Sequence, residues 1–450
     1  MKKNKIKDIL LKIIKEPFLY VIIICVLCQL KMYQTVPDYV LASDSVTYME
    51  GYTENIFKGE VNEARTPVYP YFIKIIEKIG GEENLEQNIV LIQKILFVGT
   101  TIMFYFAVRI ITKNKILLSI MTLIFGICPY LVLWNVMILT EAISLLEMVA
   151  LTLVTLLYLK KPNPILGAST GLIVFAMIMT RPSFIYLLPI YLLFWILRFF
   201  WNLKQQKEKR NAIIGTVSCA VCALLLLGYC GLMKWNKGSF SLTTISYLNQ
   251  LISAIDSDSY QYASNPEMIK IVDEITQDRT DERASWEAYD ALKEKYAVED
   301  LKEFASSSIR NSPNYLTYLL NKTVRTGYLT IGTNYVDHKD YLADLLNNSY
   351  KGYYYLGNLI LPINFAAIYI LVAVMIVYLI WYLIRYKKIH WIIAFFTCVI
   401  GANVITLIVG APFEQQRLFM ASIPCVILIV TYGINILIGK KGKRNEEIIV

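Results

Sequence analysis

The stretch LGNLILPINFAAIYILVAVMIVYLIWYL, residues 356–383, decides the fold. It holds no charged side chain and is longer than the roughly 20 residues a helix needs to cross about 30 Å of hydrocarbon. Phe18 to Leu30 repeats the pattern near the start of the sequence. Apolar residues come in blocks, not at strand or surface-helix spacing, and hydrophobic types make up 56% of the 450 residues. Lipid is therefore the expected solvent, and a soluble two- or three-domain enzyme is excluded.

Ten such blocks are expected to cross the membrane: 17–35, 88–111, 116–136, 140–159, 164–180, 183–201, 211–233, 356–385, 389–410 and 418–438. The fold class is an all-α integral membrane protein of about ten transmembrane helices. Tyr33 to Val36 lacks the small residues of a signal-peptide cleavage site, so the first block reads as a retained anchor.

Charge orients the helices. The formal net charge is +9, yet 27 of the 35 acids lie in residues 37–87 and 234–355. The bases cluster instead at Lys2 to Lys15, Arg109 to Lys115, Lys160 and Lys161, Lys204 to Arg210, Arg385 to Lys388 and Lys440 to Arg444. Those short clusters alternate as an N-in, C-in chain requires and suit anionic membrane lipid, which removes nucleic acid as a partner. Three modules follow: residues 1–233 with seven spans and a first outer loop at 37–87; an extracytoplasmic, mainly helical cap at 234–355; and residues 356–450 with three spans. All eight cysteines fall in apolar blocks, so no outer disulfide framework is expected.

The first outer loop should be helical and juxtamembrane. Asp44, Tyr48 and Tyr52 share one helical face. A second helix should start at Pro67 and stop at Gly80-Gly81, with Val68, Phe72, Ile75, Ile76 and Ile79 as its apolar stripe.

Five elements in order carry a resemblance. They are Asp44-Ser45-Val46-Thr47-Tyr48 with Gly59 and Arg65-Thr66-Pro67-Val68-Tyr69-Pro70 in the first loop; Leu139-Thr140-Glu141; Thr180-Arg181-Pro182; Glu414 to Arg417; and Pro424. The chain resembles the GT-C fold membrane glycosyltransferases that use polyprenyl-phosphate sugars, a class with protein mannosyltransferases and the lipid A aminoarabinose transferase. The likeness covers the membrane core but not residues 234–355. It implies a polyprenyl-phosphate-linked sugar donor on the extracytoplasmic face of a cell membrane, bacterial plasma membrane being the expected one. It further implies inversion at the anomeric carbon and a glycan, lipid or protein acceptor. Many members place a second acid after the first-loop aspartate, where this chain has Ser45; that weakens a paired-carboxylate metal site. No motif demands a cofactor, and a divalent cation stays open.

The chemistry explains the residue types. An acceptor hydroxyl must lose a proton as polyprenyl phosphate leaves, so a carboxylate and nearby cations are needed. Asp44 is the candidate base, though an acid at a helix start is also favoured by the helix dipole. Arg65 is the candidate phosphate ligand, two residues before Pro67, with a solvated loop arginine as the alternative, and Tyr48 is a further candidate substrate contact. Arg181 and Arg417 sit at outer span boundaries and ask for an anionic partner, or snorkel to headgroups. Glu141 and Glu414 could hold those arginines, contact sugar hydroxyls or assist a cation. Lys94 and Glu147 lie at similar depth, so they are expected to pair, or Lys94 to meet the lipid phosphate.

Asp256-Ser257-Asp258 matches a nucleotide-sugar D-x-D pattern without its βαβ context, and His338 with Asp337 and Asp340 falls short of a zinc set. Other classes remain: a flippase or transporter for a lipid-linked glycan, which should carry ionisable groups at the midplane, and a polysaccharide polymerase or ligase.

Overall fold

In the computed structural model the described residues are 16–36, 38–51, 55–201, 206–277, 279, 282–325, 359, 365–410 and 415–441. Among them the chain is helical, with one isolated parallel bridge between Val40 and Met137 as the sole β pairing. Glu414, His338, Tyr52 and the first basic cluster lie outside the described residues.

Among the described residues seven helices are long and apolar enough to cross a membrane: Leu85–Ile111, Glu141–Lys160, Pro182–Trp201, Glu208–Lys237, Phe365–Tyr386, Trp391–Gly410 and Arg417–Ile438. Lys115–Gly126 and Pro129–Val136 together make an eighth, bent by 43°. The bend falls where Pro129 cannot donate back to the preceding turn. Pro17–Tyr33 and Pro164–Thr180 are apolar helices of 17 residues, at the lower limit for a span. The ten apolar blocks of the sequence thus fall on these ten segments.

Local sequence sets the boundaries. The Asn114 side chain accepts from the N–H groups of Ile116 (3.0 Å) and Leu117 (3.2 Å), and the Asn163 side chain accepts from Ile165 N–H (2.8 Å) just ahead of Pro164; both satisfy amides that a helix start leaves unpaired. Helix 85–111 buries Ile89, Gln93, Phe97, Phe104 and Val108 and exposes Leu91 and Ile95, a one-sided pattern suited to a bundle edge facing lipid.

Helix 164–180 packs against 206–237 through Gly167 and Gly171. A Cβ on Gly171 would come within 2.2 Å of Ser218 Oγ, and that hydroxyl instead donates to the Ala168 carbonyl at 2.7 Å. Small residues four apart allow this close approach without a hydrophobic drive between helices. All eight cysteines are free thiols.

The first loop folds as helix Ser43–Gly51 and helix Val68–Gly80. The second meets the core on a stripe shifted from the expected one: Ile76 is buried and Val68 and Phe72 pack partly buried against the core, but Ile75 and Ile79 are exposed and Tyr69 and Ile73 are buried in their place. The Tyr69 phenol donates to Gln93 Oε1 at 2.7 Å and so turns that face inward.

The cap contains helices Ile245–Asp256, Pro266–Thr276, Glu282–Lys295, Val298–Asn311 and Tyr315–Arg325 around its own core of Leu251, Met268, Val272, Leu292, Leu301 and Phe304. The cap meets the first loop where the N–H and hydroxyl of Thr244 both donate to the Glu63 carbonyl, at 2.8 and 3.1 Å.

Candidate active site

Three hydrogen-bonding devices, one of backbone alone and two through the Gln93 and Ser45 side chains, bring the first loop to the opening of helix 141–160. Val40 N–H donates to the Val136 carbonyl (2.9 Å) and Ile138 N–H to the Val40 carbonyl (3.2 Å). Gln93 Nε2, fully buried, donates to the carbonyls of Asn135 (3.1 Å) and Met137 (2.8 Å) while its oxygen accepts from Tyr69. Buried carbonyls in an irregular segment need such partners, so the Gln93 amide closes the account for this join. Ser45, the residue in place of a second acid, is buried, and its hydroxyl accepts from Ala42 N–H at 2.9 Å, capping the turn into helix 43–51.

Asp44 then faces two guanidinium groups. Its Oδ1 lies 2.6 Å from Arg65 Nη2 and its Oδ2 lies 2.8 Å from Arg417 Nη1. Arg417 also donates from Nε to Glu141 Oε1, and Arg181 Nη1 reaches the same oxygen at 3.1 Å. Arg65 is fixed further: Nε donates to Thr47 Oγ1 (2.7 Å), Nη1 to the Tyr48 phenol (3.3 Å), and its guanidinium lies 4.2 Å above the Tyr48 ring. Such charge-assisted contacts set orientation as well as energy.

Glu141 and Arg417 are 1% and 2% exposed, whereas the Asp44 side chain keeps 29% exposure. Asp44 is therefore the accessible carboxylate of the cluster. Burial alone would push its carboxyl up; the Arg417 and Arg65 charges outweigh that and hold it well below the usual carboxylate range. Three guanidinium groups against two carboxylates leave an excess of one positive charge, and Glu141 Oε2 is buried with no hydrogen-bond partner. The arrangement suits an anion beside a hydroxyl donor. The Arg417 guanidinium bridges Asp44 and Glu141, and no group of three metal-ligating side chains occurs among the described residues.

The structure thus brings Asp44, Tyr48, Arg65, Glu141, Arg181 and Arg417 together. Lys94 is placed elsewhere: its Nζ lies 4.9 Å over the Tyr33 ring. Glu147 accepts from Thr180 Oγ1 at 2.8 Å instead of pairing with Lys94. The two face different neighbours because equal depth along two helices says nothing about rotation around them. Sequence reasoning missed Thr47 and Gln93; the second had a readable signal, an uncharged amide beside Lys94 within a mostly apolar span.

Residues 64–229 match the family of dolichyl-phosphate-mannose-protein mannosyltransferases. The resemblance to GT-C membrane glycosyltransferases holds over that segment, which carries Arg65, Glu141 and Arg181. No curated protein matches the chain. Among solved structures, the Archaeoglobus fulgidus oligosaccharyltransferase in complex with Zn and sulfate has a TM-score of 0.49 at 13% identity, covering 94% of this chain and 51% of that one. The Archaeoglobus fulgidus oligosaccharyltransferase in complex with an inhibitory peptide and a dolichol-phosphate has a TM-score of 0.46 at 12% identity, covering 95% and 52%. The chain spans about half the length of these solved structures.

Proposed function

We propose that the chain is a membrane glycosyltransferase. It moves a sugar from a polyprenyl-phosphate-linked donor to an envelope glycan, lipid or protein acceptor on the extracytoplasmic face, probed by the N-in, C-in orientation that the basic clusters favour. The observation that carries this reading is the convergence of Asp44, Arg65, Glu141, Arg181 and Arg417 at one end of the bundle.

Asp44 takes the proton of the acceptor hydroxyl as its oxygen bonds to the anomeric carbon. The bond from that carbon to the phosphate oxygen breaks on the opposite side, inverting the centre, and polyprenyl phosphate leaves with the electron pair. Arg65 and Arg417 stabilise the charge that develops on the phosphate, and Arg181 holds Glu141 in register. The phosphate competes with Asp44 for Arg65, so donor binding releases Asp44 Oδ1 to take the proton while Arg417 keeps hold of Oδ2.

The test supplies purified protein in lipid with a radiolabelled polyprenyl-phosphate sugar and a glycan acceptor. Loss of label from the lipid should require Asp44, and full turnover by Asp44→Asn would overturn its role. Lipid scrambling by reconstituted vesicles without sugar release would favour a flippase instead, and consumption of only pyrophosphate-linked oligosaccharides a polymerase or ligase.

A further inference from the structure

The cap holds a groove of about 740 Å³ that the membrane cluster does not use. Asp256 closes helix 245–256, Tyr260 lies in the following turn, Asp273 and Gln277 stand at the end of helix 266–276, and Tyr318 and Lys322 project from helix 315–325. Separate elements therefore converge on one concavity, within the 300–1,000 Å³ typical of ligand sites.

Its polar groups are held in place. The Tyr260 phenol donates to Asp273 Oδ1 at 2.7 Å, the Ser285 hydroxyl donates to Asp256, and Lys322 Nζ lies 5.6 Å over the Tyr318 ring. Carboxylates that only accept alternate with an ammonium, a guanidinium at Arg279 and an amide that donate. That mixture is poorly matched to a polyanion, which the carboxylates repel, and to an apolar peptide side chain, which would bury charges unpaired. It also differs from a cation site, since no group of three metal-ligating side chains occurs among the described residues and Lys322 and Arg279 line the same wall. Hydroxyl-rich ligands both donate and accept at each oxygen, which matches a wall that mixes carboxylates with cationic and amide donors.

The distance from the membrane cluster sets the role. Helix 245–256 starts at the Thr244–Glu63 contact, two residues before Arg65, and ends at Asp256. Its 12 residues extend about 18 Å at 1.5 Å each. A single sugar cannot occupy both places; an extended chain can.

We infer that this groove is a subsite for a neutral glycan, holding the acceptor chain away from its reacting end. The assignment of that glycan as acceptor rests on the transferase reading above; glycan binding itself does not.

The test uses the full-length protein in lipid nanodiscs, with neutral hexasaccharides of hexose and N-acetylhexosamine units as probes, followed by saturation-transfer NMR. An anionic hexasaccharide and a Ser/Ala peptide serve as competitors. At least one neutral hexasaccharide should saturate, and Tyr318→Ala and Asp273→Ala should each weaken it by about tenfold. Lys322→Gln, a milder change on the groove wall, should weaken it in the same direction with an unchanged unfolding temperature. Absence of saturating binding, binding indifferent to all three substitutions, or preference for either competitor would overturn the inference. Turnover of lipid-linked sugar without saccharide binding would remove the groove and leave the transferase; saccharide binding without turnover would do the reverse.

Discussion

Arg417 Nη1 lies 2.8 Å from Asp44 Oδ2, joining the start of the last membrane helix to a loop 373 residues earlier. The same guanidinium reaches Glu141 through Nε, so one nearly inaccessible side chain ties three distant parts of the sequence. Removing one partner of a buried pair leaves the other charged and uncompensated, a loss of about 3–5 kcal/mol. Arg417→Met should therefore lower stability by about that amount in denaturant titration of the micelle-bound protein, and adding Glu141→Gln should recover part of it. Equal stability of the single variant and the wild type would mean that Arg417 is not compensating those acids.

That contact also marks how far the sequence can be read. The apolar blocks and basic clusters located the membrane segments because solvent acts on each residue locally. The boundary charges Glu141, Arg181 and Arg417 were readable for the same reason, each being costly near hydrocarbon and asking for a partner, whereas Asp44 was readable through the resemblance and the need for a base. Which partner each takes depends on helix rotation and on joins such as Gln93 to Met137, and nothing local encodes these. Lys94 illustrates the limit: the sequence offered Glu147 or the lipid phosphate as its partner, and its ammonium lies over Tyr33 on another helix.

The Asp44 carboxyl is pushed up by burial but held below its ordinary range, near 3.9, by Arg417 and Arg65. A lowered folded-state value means that ionised Asp44 stabilises the folded protein at pH values above the unfolded one, and that this contribution is lost as pH falls through the folded one. The stability difference between wild type and Asp44→Asn should stay level from pH 7 to about 5 and shrink below about 4. Denaturant titrations across that range check it; shrinkage already between pH 7 and 5 would contradict a doubly paired carboxylate.

Gln93 makes no contact with the cluster, yet it seats the loop that carries Asp44. Gln93→Leu keeps the volume and strands the Tyr69 phenol and the carbonyls of Asn135 and Met137, each costing about 1–3 kcal/mol when buried and unpaired. The variant should lose stability and transfer rate together, with Asp44 intact. Full activity in a destabilised variant would show that the loop docks through the Val40 bridge alone.

Arg65 separates charge from geometry. Its three nitrogens reach Thr47, Tyr48 and Asp44, so the guanidinium plane is fixed before any substrate arrives. Lysine keeps the charge but offers one compact ammonium on a flexible stem, without the fork that grips two phosphate oxygens. Arg65→Lys should therefore raise the donor KM by about tenfold to a hundredfold, a loss of roughly 1.4–2.8 kcal/mol. Its kcat should fall too, because the cation is no longer aimed where the leaving phosphate gathers charge. Titrating the lipid-linked donor at saturating acceptor reads both quantities. A lysine variant with unchanged KM and kcat would reduce Arg65 to a source of positive potential and move phosphate recognition to Arg417.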